Sequence, residues 1–546
     1  MRVILGALVA GHILSACTSA GGPDAPPVLT VTSPARGTFA DGNTITVTGT
    51  VTDDGPVNVT VAGTDVTPAK DGSFTATITL DPGVSIIETH AIDKAGHDVR
   101  DVRAVLAGTT GATDGKTSAP IGARAGTAAL TAIGTSLGNA AEQIDFTAIA
   151  QGMNPVYDNG GCLGAKINIT SVDLGAIDVA LTPDTGKLGA AVDIANVNIK
   201  LHADFKVACI GGSTTITVTS SKAHIKGDLT ADVASGKIAT QLPDASVTLD
   251  NFNVDVGGVP SAIESLLDGQ ARTAAQNALT KAIKDKLPGL ANNALAGLLA
   301  KPVSADVLGH ATTATVTPSQ LTITPGGIFV GADTTLAVTG GEGGMYLAQP
   351  ASLDATMLEG SKGFGVALAD DLVDQLLGGL WAAGAFDQQL PISTVPILGA
   401  LLDPDATTLD IKLSLPPTVT PSGADLQLAV GDAIISVQDA SGTTVQQIAL
   451  SIKTTLAAGP TQSGKLTLTL GTPEVHAMVV EQDASIARPL TDEQVEGLVS
   501  SVWGVLGDQA GTALAKLPMP SIAGVTLGTP TVKGADAFVA ADVPVM

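Results

Sequence analysis

Aromatic residues make up only 2% of this 546-residue chain. Sugar-stacking clefts and base-stacking platforms are built from such rings. Glycan hydrolysis in an aromatic cleft and single-strand nucleic-acid binding are therefore both disfavoured. Charge is also scarce, at 14% of residues, and it is one-sided: 52 acidic residues against 27 Lys and Arg give a net charge of −25. So few cations leave no means of neutralising a nucleic-acid backbone and no strongly basic face for anionic lipids. The seven histidines (His12, His90, His97, His202, His224, His310, His476) stand apart, with no HxH or HExxH spacing. No catalytic constellation, metal site or cofactor is expected from them, and a lone histidine reads as surface or core. Beyond the N-terminus there is no uncharged apolar run of about 18 residues, so no membrane-spanning helix is expected.

What the chain does have is 44% apolar residues, ample for cores made of Val, Ile, Leu and Ala, and a length that suits three or four domains. The acidity reads as solubility outside the cell.

Arg2 precedes an apolar run from Val3 to Leu14, followed by Leu14-Ser15-Ala16-Cys17. The run has the length of a signal-peptide core, and the four residues resemble a bacterial lipobox. By that resemblance 1–16 is a lipoprotein signal peptide. Cys17 is then the lipid-modified first residue of the mature chain, and several acyl chains on it give stable anchoring. Thr18 beside the cysteine favours the outer membrane by the same resemblance to sorting rules. Residues 17–27, rich in Gly and Pro, form a tether. The remaining cysteines, Cys162 and Cys209, read most simply as a disulfide in an exported chain, with two buried free thiols as the alternative.

Residues 28–107 alternate strictly, as in Thr44-Ile-Thr-Val-Thr-Gly-Thr-Val and Ser73-Phe-Thr-Ala-Thr-Ile-Thr-Leu, between turns at Asp41-Gly42, Asp54-Gly55 and Asp71-Gly72. About seven short strands predict an Ig-like β-sandwich, which serves as a spacer or a binding module. Residues 108–120 read as a Gly/Thr/Ala linker. Within 121–155 a GxSxG match, Gly134-Thr135-Ser136-Leu137-Gly138, falls in a small-residue helical pattern. A nucleophile elbow needs a strand and a sharp turn there, so the match reads as helix. Long alternating strands then fill 165–256.

The longest helical signal spans Val259–Ala300. Ile263, Leu266, Leu267, Ala271, Ala274, Ala278, Leu279, Ala282 and Ile283 recur three or four apart and predict one apolar stripe, ended by a break or kink at Pro288. From about 305 the plan repeats. A helix is predicted over Gly365–Phe386, with Asp370, Asp371 and Asp374 on its solvated side. Long strands follow, then a second long helix over Thr491–Lys516. Lys286-Leu287-Pro288 and Lys516-Leu517-Pro518 end the two long helices alike.

Several patterns carry a resemblance. They are Phe364–Phe386 with its Trp381-x-x-Gly384-x-Phe386 ending, Leu415-Pro416-Pro417 before a strand pair, and the segment from Leu517-Pro-Met-Pro onward. Over roughly 120–546 the chain resembles the tubular lipid-binding superfamily that includes bactericidal/permeability-increasing protein. The resemblance implies a fold class of an Ig-like all-β sandwich followed by an α+β part. That part would hold two elongated antiparallel barrels (121–304 and 305–546), each covered by a long amphipathic helix and joined through a central sheet. It also implies that Cys162 and Cys209 match that family's single disulfide. The residues expected to touch lipid or core are Ile263, Leu266, Leu267, Leu279 and Ile283 on the first long helix, and Leu372, Leu376, Leu377 and Leu380 on the shorter one. The lipopolysaccharide-binding members carry Lys and Arg at the tip of the first barrel. Here Lys166, Lys187, Lys200, Lys206, Lys222, Lys226 and Lys237 are interleaved with Asp, so endotoxin neutralisation is not carried over.

The expectation is a monomeric, non-enzymatic lipoprotein of the bacterial envelope that binds or transfers phospholipid-like ligands and reaches the membrane through its lipid anchor. The competing expectation is a structural or adhesive surface lipoprotein whose Ig-like module does the binding.

Overall fold

The computed structural model describes residues 25–259, 261–299, 303–349, 353–356, 358–394, 402–422, 425–459, 467–484, 486–500, 503, 531–535 and 538–543. Cys17, the signal segment and most of the tether lie outside them, as does most of the helix expected over Thr491–Lys516, of which 492–500 and 503 are helical. The segment from 517 to 527, one carrier of the resemblance, also lies outside.

The chain divides into two compact units. The first comprises Met1–Ala35, Thr44–Leu80 and Ile86–Arg103. In it Val28–Ser33, Thr44–Thr52 and Ser73–Thr79 form an antiparallel sheet, while Asn58–Val61 pairs with Thr64–Val66 and with Gly83–Ile92. The period-two alternation puts Val47, Val51, Val59, Val61 and Phe74 inside, each at most 5% exposed. Arg103 fastens the first strand. Its guanidinium donates to the Asp101 carboxylate and to the carbonyls of Val31 and Pro34.

The second unit comprises Arg36–Asn43, Asp81–Ser85 and Ala104–Met546. Its eight-stranded sheet is built on one very long hairpin, Lys187–Val207 and Ile210–Ala234, paired from Leu188↔Leu229 to Val207↔Ile210. At about 3.3 Å per residue, the 21-residue strand spans roughly 70 Å. Neighbouring strands complete an eight-stranded sheet. Alternation again decides which face is inside: Val192, Ile194, Ile199, Leu201, Ile216, Val218 and Ile225 are all at most 2% exposed. Three helices pack on that face: α1 (Thr127–Ala141), α2 (Phe146–Gln151) and α3 (Ser261–Ala296). Two seven-stranded sheets follow. One contains Lys116–Gly126, Gly327–Val338 and Phe364–Ala369, and the other contains Asp425–Asp439 and Thr444–Gly459.

The GxSxG match is helical, inside α1. A Cβ on Gly134 would lie 2.4 Å from the Val179 carbonyl oxygen, and one on Gly138 2.4 Å from that of Ile177. The two glycines let the helix backbone touch the strand Ile177–Asp184, which is a packing reason for glycine at this four-residue spacing.

The expected fold class needs correction. The described chain is mostly β, and its sheets are open half-barrels with free ends, in place of two closed elongated barrels. Among the described residues the pair of long covering amphipathic helices is not found. Along α3 the contrast between faces is slight, because half of the inward positions are alanine, and counting alanine with leucine overstated the stripe. Pro288 does not end α3, which continues to Ala296. The helix expected over Gly365–Phe386 is shorter, α4 (Asp370–Ala382), because Phe364–Ala369 is a strand of the central sheet. Residues 108–120, read as linker, contribute Thr110–Ala112 and the start of Lys116–Gly126 to sheets.

One buried charge ties distant segments of the second unit. Asp432 sits in a bulge of Asp425–Asp439 at φ 44°, a left-handed conformation that aspartate tolerates. It accepts from Arg36 Nη1 at 2.8 Å and from the Ala104 amide at 3.0 Å, and its own amide donates to Ser451 Oγ at 3.0 Å. Burial pushes its carboxyl above the usual range although Arg36 pulls the other way. Asp432→Ala removes the carboxylate that receives the Arg36 guanidinium and the Ala104 amide, and should cost about 3 kcal/mol of stability. Urea unfolding measures it, and an unchanged midpoint would remove Asp432 as a fastening point.

Candidate ligand-binding site

The residues expected to touch lipid separate into two groups. Ile263, Leu267, Leu279 and Ile283 come together on α3 at 0–2% exposure, with Leu266 half-buried beside them. They face the inner side of the eight-stranded sheet, where Ile, Leu, Val and Ala supply nearly all the contacts. Between them Ala271, Ala274, Ala275, Ala278 and Ala282 keep the helix close to the sheet. Hydrogen bonds hold the helix elsewhere. Thr240 Oγ1 donates to the Pro288 carbonyl at 2.7 Å, Asn292 Oδ1 accepts from the Thr240 amide at 2.7 Å, and Gln276 Nε2 donates to the Val247 carbonyl. Arg272 stacks 3.8 Å over the Phe252 ring. The result is an aliphatic seam that extends over a helix of roughly 50 Å at 1.5 Å per residue.

The α4 leucines do not form a matching stripe. Leu376 packs with Leu380 against Leu336 and Val338, whereas Leu377 packs against Val419, Leu426 and Leu456. Leu372 borders both the first of these clusters and the main core. The side of α4 read as solvated is the buried one: Asp370, Asp371, Asp374 and Gln375 are at most 4% exposed. The acids are inside because loop amides need acceptors. Asp371 Oδ1 accepts from the Gln349 amide and Asp374 Oδ1 from the Val419 amide, both at 2.6 Å. Gln375 Nε2 donates to the carbonyls of Thr113 and Gly115, and its Oε1 accepts from Thr117 Oγ1. Asp370 Oδ2 is buried with no hydrogen-bond partner. Desolvation pushes the Asp370 carboxyl up to about 7, with the neighbouring Asp371 charge adding to it, and pushes Asp374 well above the ordinary range. Nothing in the sequence pattern marks these as buried, since their partners lie far away along the chain.

A groove of about 830 Å³ runs beside the base of the long hairpin and includes Lys187, Lys226, Asp228, Asp244 and Lys284 in its lining. It is polar and open. Lys187 pairs with Asp228 at 2.7 Å, and Lys284 donates to the Pro243 carbonyl. Its lining also includes Ala190 and Ala245 at the border of the aliphatic core, and the sequence reading had no signal for it. Cys162 and Cys209 form a disulfide that joins the residue before the strand Leu163–Asp173 to the turn of the long hairpin, with Cα atoms 4.0 Å apart.

The buried acid sets a pH dependence. Its folded pKa lies above its unfolded value, so the folded state holds a proton that the unfolded state releases. The contribution of Asp370 to stability is therefore greatest below about pH 4 and is lost as pH rises towards 7. Asp370→Asn should leave stability little changed at pH 4.5 and raise it by about 1–2 kcal/mol at pH 8. Urea unfolding at the two pH values checks this, and a variant less stable at pH 8 would contradict it.

Comparison with known proteins gives a partial picture. A family model described as glucodextranase, domain B, matches residues 27–109, the stretch that carries the Ig-like module. No curated protein matches the chain. A solved lipopolysaccharide binding protein is 12% identical over 79% of this chain and 99% of its own, with a TM-score of 0.44. Latherin is 17% identical over 30% of this chain and 83% of its own, with a TM-score of 0.18. Fibronectin(III)-like modules of Clostridium thermocellum CbhA are 15% identical over 34% and 92%, with a TM-score of 0.14. These structural scores are too low to carry an assignment, and what is similar at the level of family is the N-terminal module alone.

Proposed function

We propose that this chain is an envelope lipoprotein that binds acyl-chain ligands of the phospholipid class along the seam between α3 and the eight-stranded sheet. One observation carries the reading: the aliphatic composition of that seam over the whole length of α3. An acyl chain is matched by methyl and methylene surface without directional hydrogen bonds, and the seam supplies such surface over a length greater than a lipid tail. Its alanines keep the helix close to the sheet, so a chain enters by parting the two. Two closed tubes are not part of the proposal, because the sheets are open. The lipobox-like Leu14–Cys17 and the superfamily resemblance read from the sequence support a membrane-anchored protein of the bacterial envelope, on the outer membrane. The chain is read as a non-enzymatic monomer.

A second reading rests on the match over residues 27–109. In it the Ig-like module is a spacer or adhesive element and the second unit is scaffold. Mass spectrometry of organic extracts of the purified protein separates the two, together with uptake of a fluorescent phospholipid. Binding along the seam predicts co-extracted phospholipid and uptake that falls several-fold in Leu266→Asp, a half-buried position at the seam. Absence of both lipid and uptake would leave the scaffold reading standing.

A further inference from the structure

The far end of the long hairpin combines a tight turn, a disulfide and two exposed aliphatic side chains. Its turn, Ala208-Cys209, has both residues at positive φ (47° and 69°), the geometry of a tight two-residue hairpin loop. Cys209 is bonded to Cys162, and its amide donates to the Cys162 carbonyl at 3.1 Å. Each cysteine is followed by a large aliphatic residue that faces water: Leu163 is 59% exposed and Ile210 76%. No residue of 159–165 or 207–221 is charged, in a chain of net charge −25. Gly160 and Gly161 stand in open space. The first charges outward from the tip are Asp158, Lys166, Asp204 and Lys206, two of each sign, with Lys166 opposite Asp204 in register.

We propose that this disulfide-stapled tip inserts into the interfacial layer of a lipid bilayer with neutral headgroups. Cross-linking and the tight turn hold Leu163 and Ile210 outward, so they cannot withdraw into the core. A free surface that pays to keep two such side chains in water is matched by an apolar medium. A hairpin end with two large side chains falls far short of the roughly 1,000 Å² that a stable protein interface needs, whereas a bilayer accepts a narrow apolar protrusion. The balanced ring of charges behind the tip favours neither an anionic nor a cationic surface. The inference rests on the lipid-binding reading in that it gives the protein a way to meet the membrane its ligand comes from.

The test is flotation of the full chain with phosphatidylcholine vesicles, using a Cys17→Ser background so that no acyl anchor contributes. The parent should float, and Leu163→Asp with Ile210→Asp should lower the bound fraction at least tenfold. Leu308→Asp, at an exposed aliphatic residue in the turn of a different hairpin of the same unit, should leave it unchanged. Separately, the indole introduced by Ile210→Trp should shift its emission to the blue on vesicle addition. A parent that ignores the vesicles, or a double variant that floats equally well, overturns the proposal. Lipid in organic extracts of the same samples is read independently. Retained lipid with lost flotation supports the tip, and absent lipid with intact flotation defeats the seam while sparing the tip.

Discussion

The second unit depends on the apolar face of one hairpin. Strands of 21 and 25 residues cannot stand alone in water, and their inward Val, Ile and Leu side chains need a cover along the whole length. α1, α2 and α3 supply it, and the close approach of α1 depends on Gly134 and Gly138. On the outer face the same strands are held by charge. His224 lies between Asp193 at 2.6 Å and Asp250 at 3.0 Å, with Lys222 also on Asp193, so that one polar cluster bridges three strands. Hydrogen bonds to the two aspartates raise the His224 pKa, while Lys222 and His224 lower that of Asp193.

Much of this was legible in the sequence. Strict alternation in Ala191–Leu201 gave the strand and its inward residues, because a period of two leaves few alternatives when one face is buried, whereas Ser246–Val256 is broken into two strands at Asn251. The helical reading of Gly134–Gly138 was equally direct. The barrel closure and the paired helices were not, because sheet ends are decided by which edges meet in three dimensions. Treating Ala271, Ala274 and Ala278 as equal to leucine made α3 look more amphipathic than it is. Pro288 looked like a stop, yet the helix passes through it, with its carbonyl taken up by Thr240.

The largest misreading was at α4. Three aspartates in five residues look like a wet face, and in this fold they are the acceptors for amides at positions 349, 371 and 419. Sequence patterning assumes that acid means solvent, and it has no term for a loop that brings an unpaired amide to a helix from far along the chain. The consequence for function is that the α4 leucines are divided between separate small clusters. Among the described residues only α3 offers a continuous aliphatic surface, and the lipid-binding account is confined to it.

That account is tested most directly by photo-crosslinking the full chain with a phospholipid carrying a diazirine on its acyl chain, followed by peptide mapping. It predicts adducts within Ser261–Ala296 and on the inward positions of Lys187–Val207 and Ile210–Ala234. Adducts confined to the polar groove or to α4, or none at all, would contradict it.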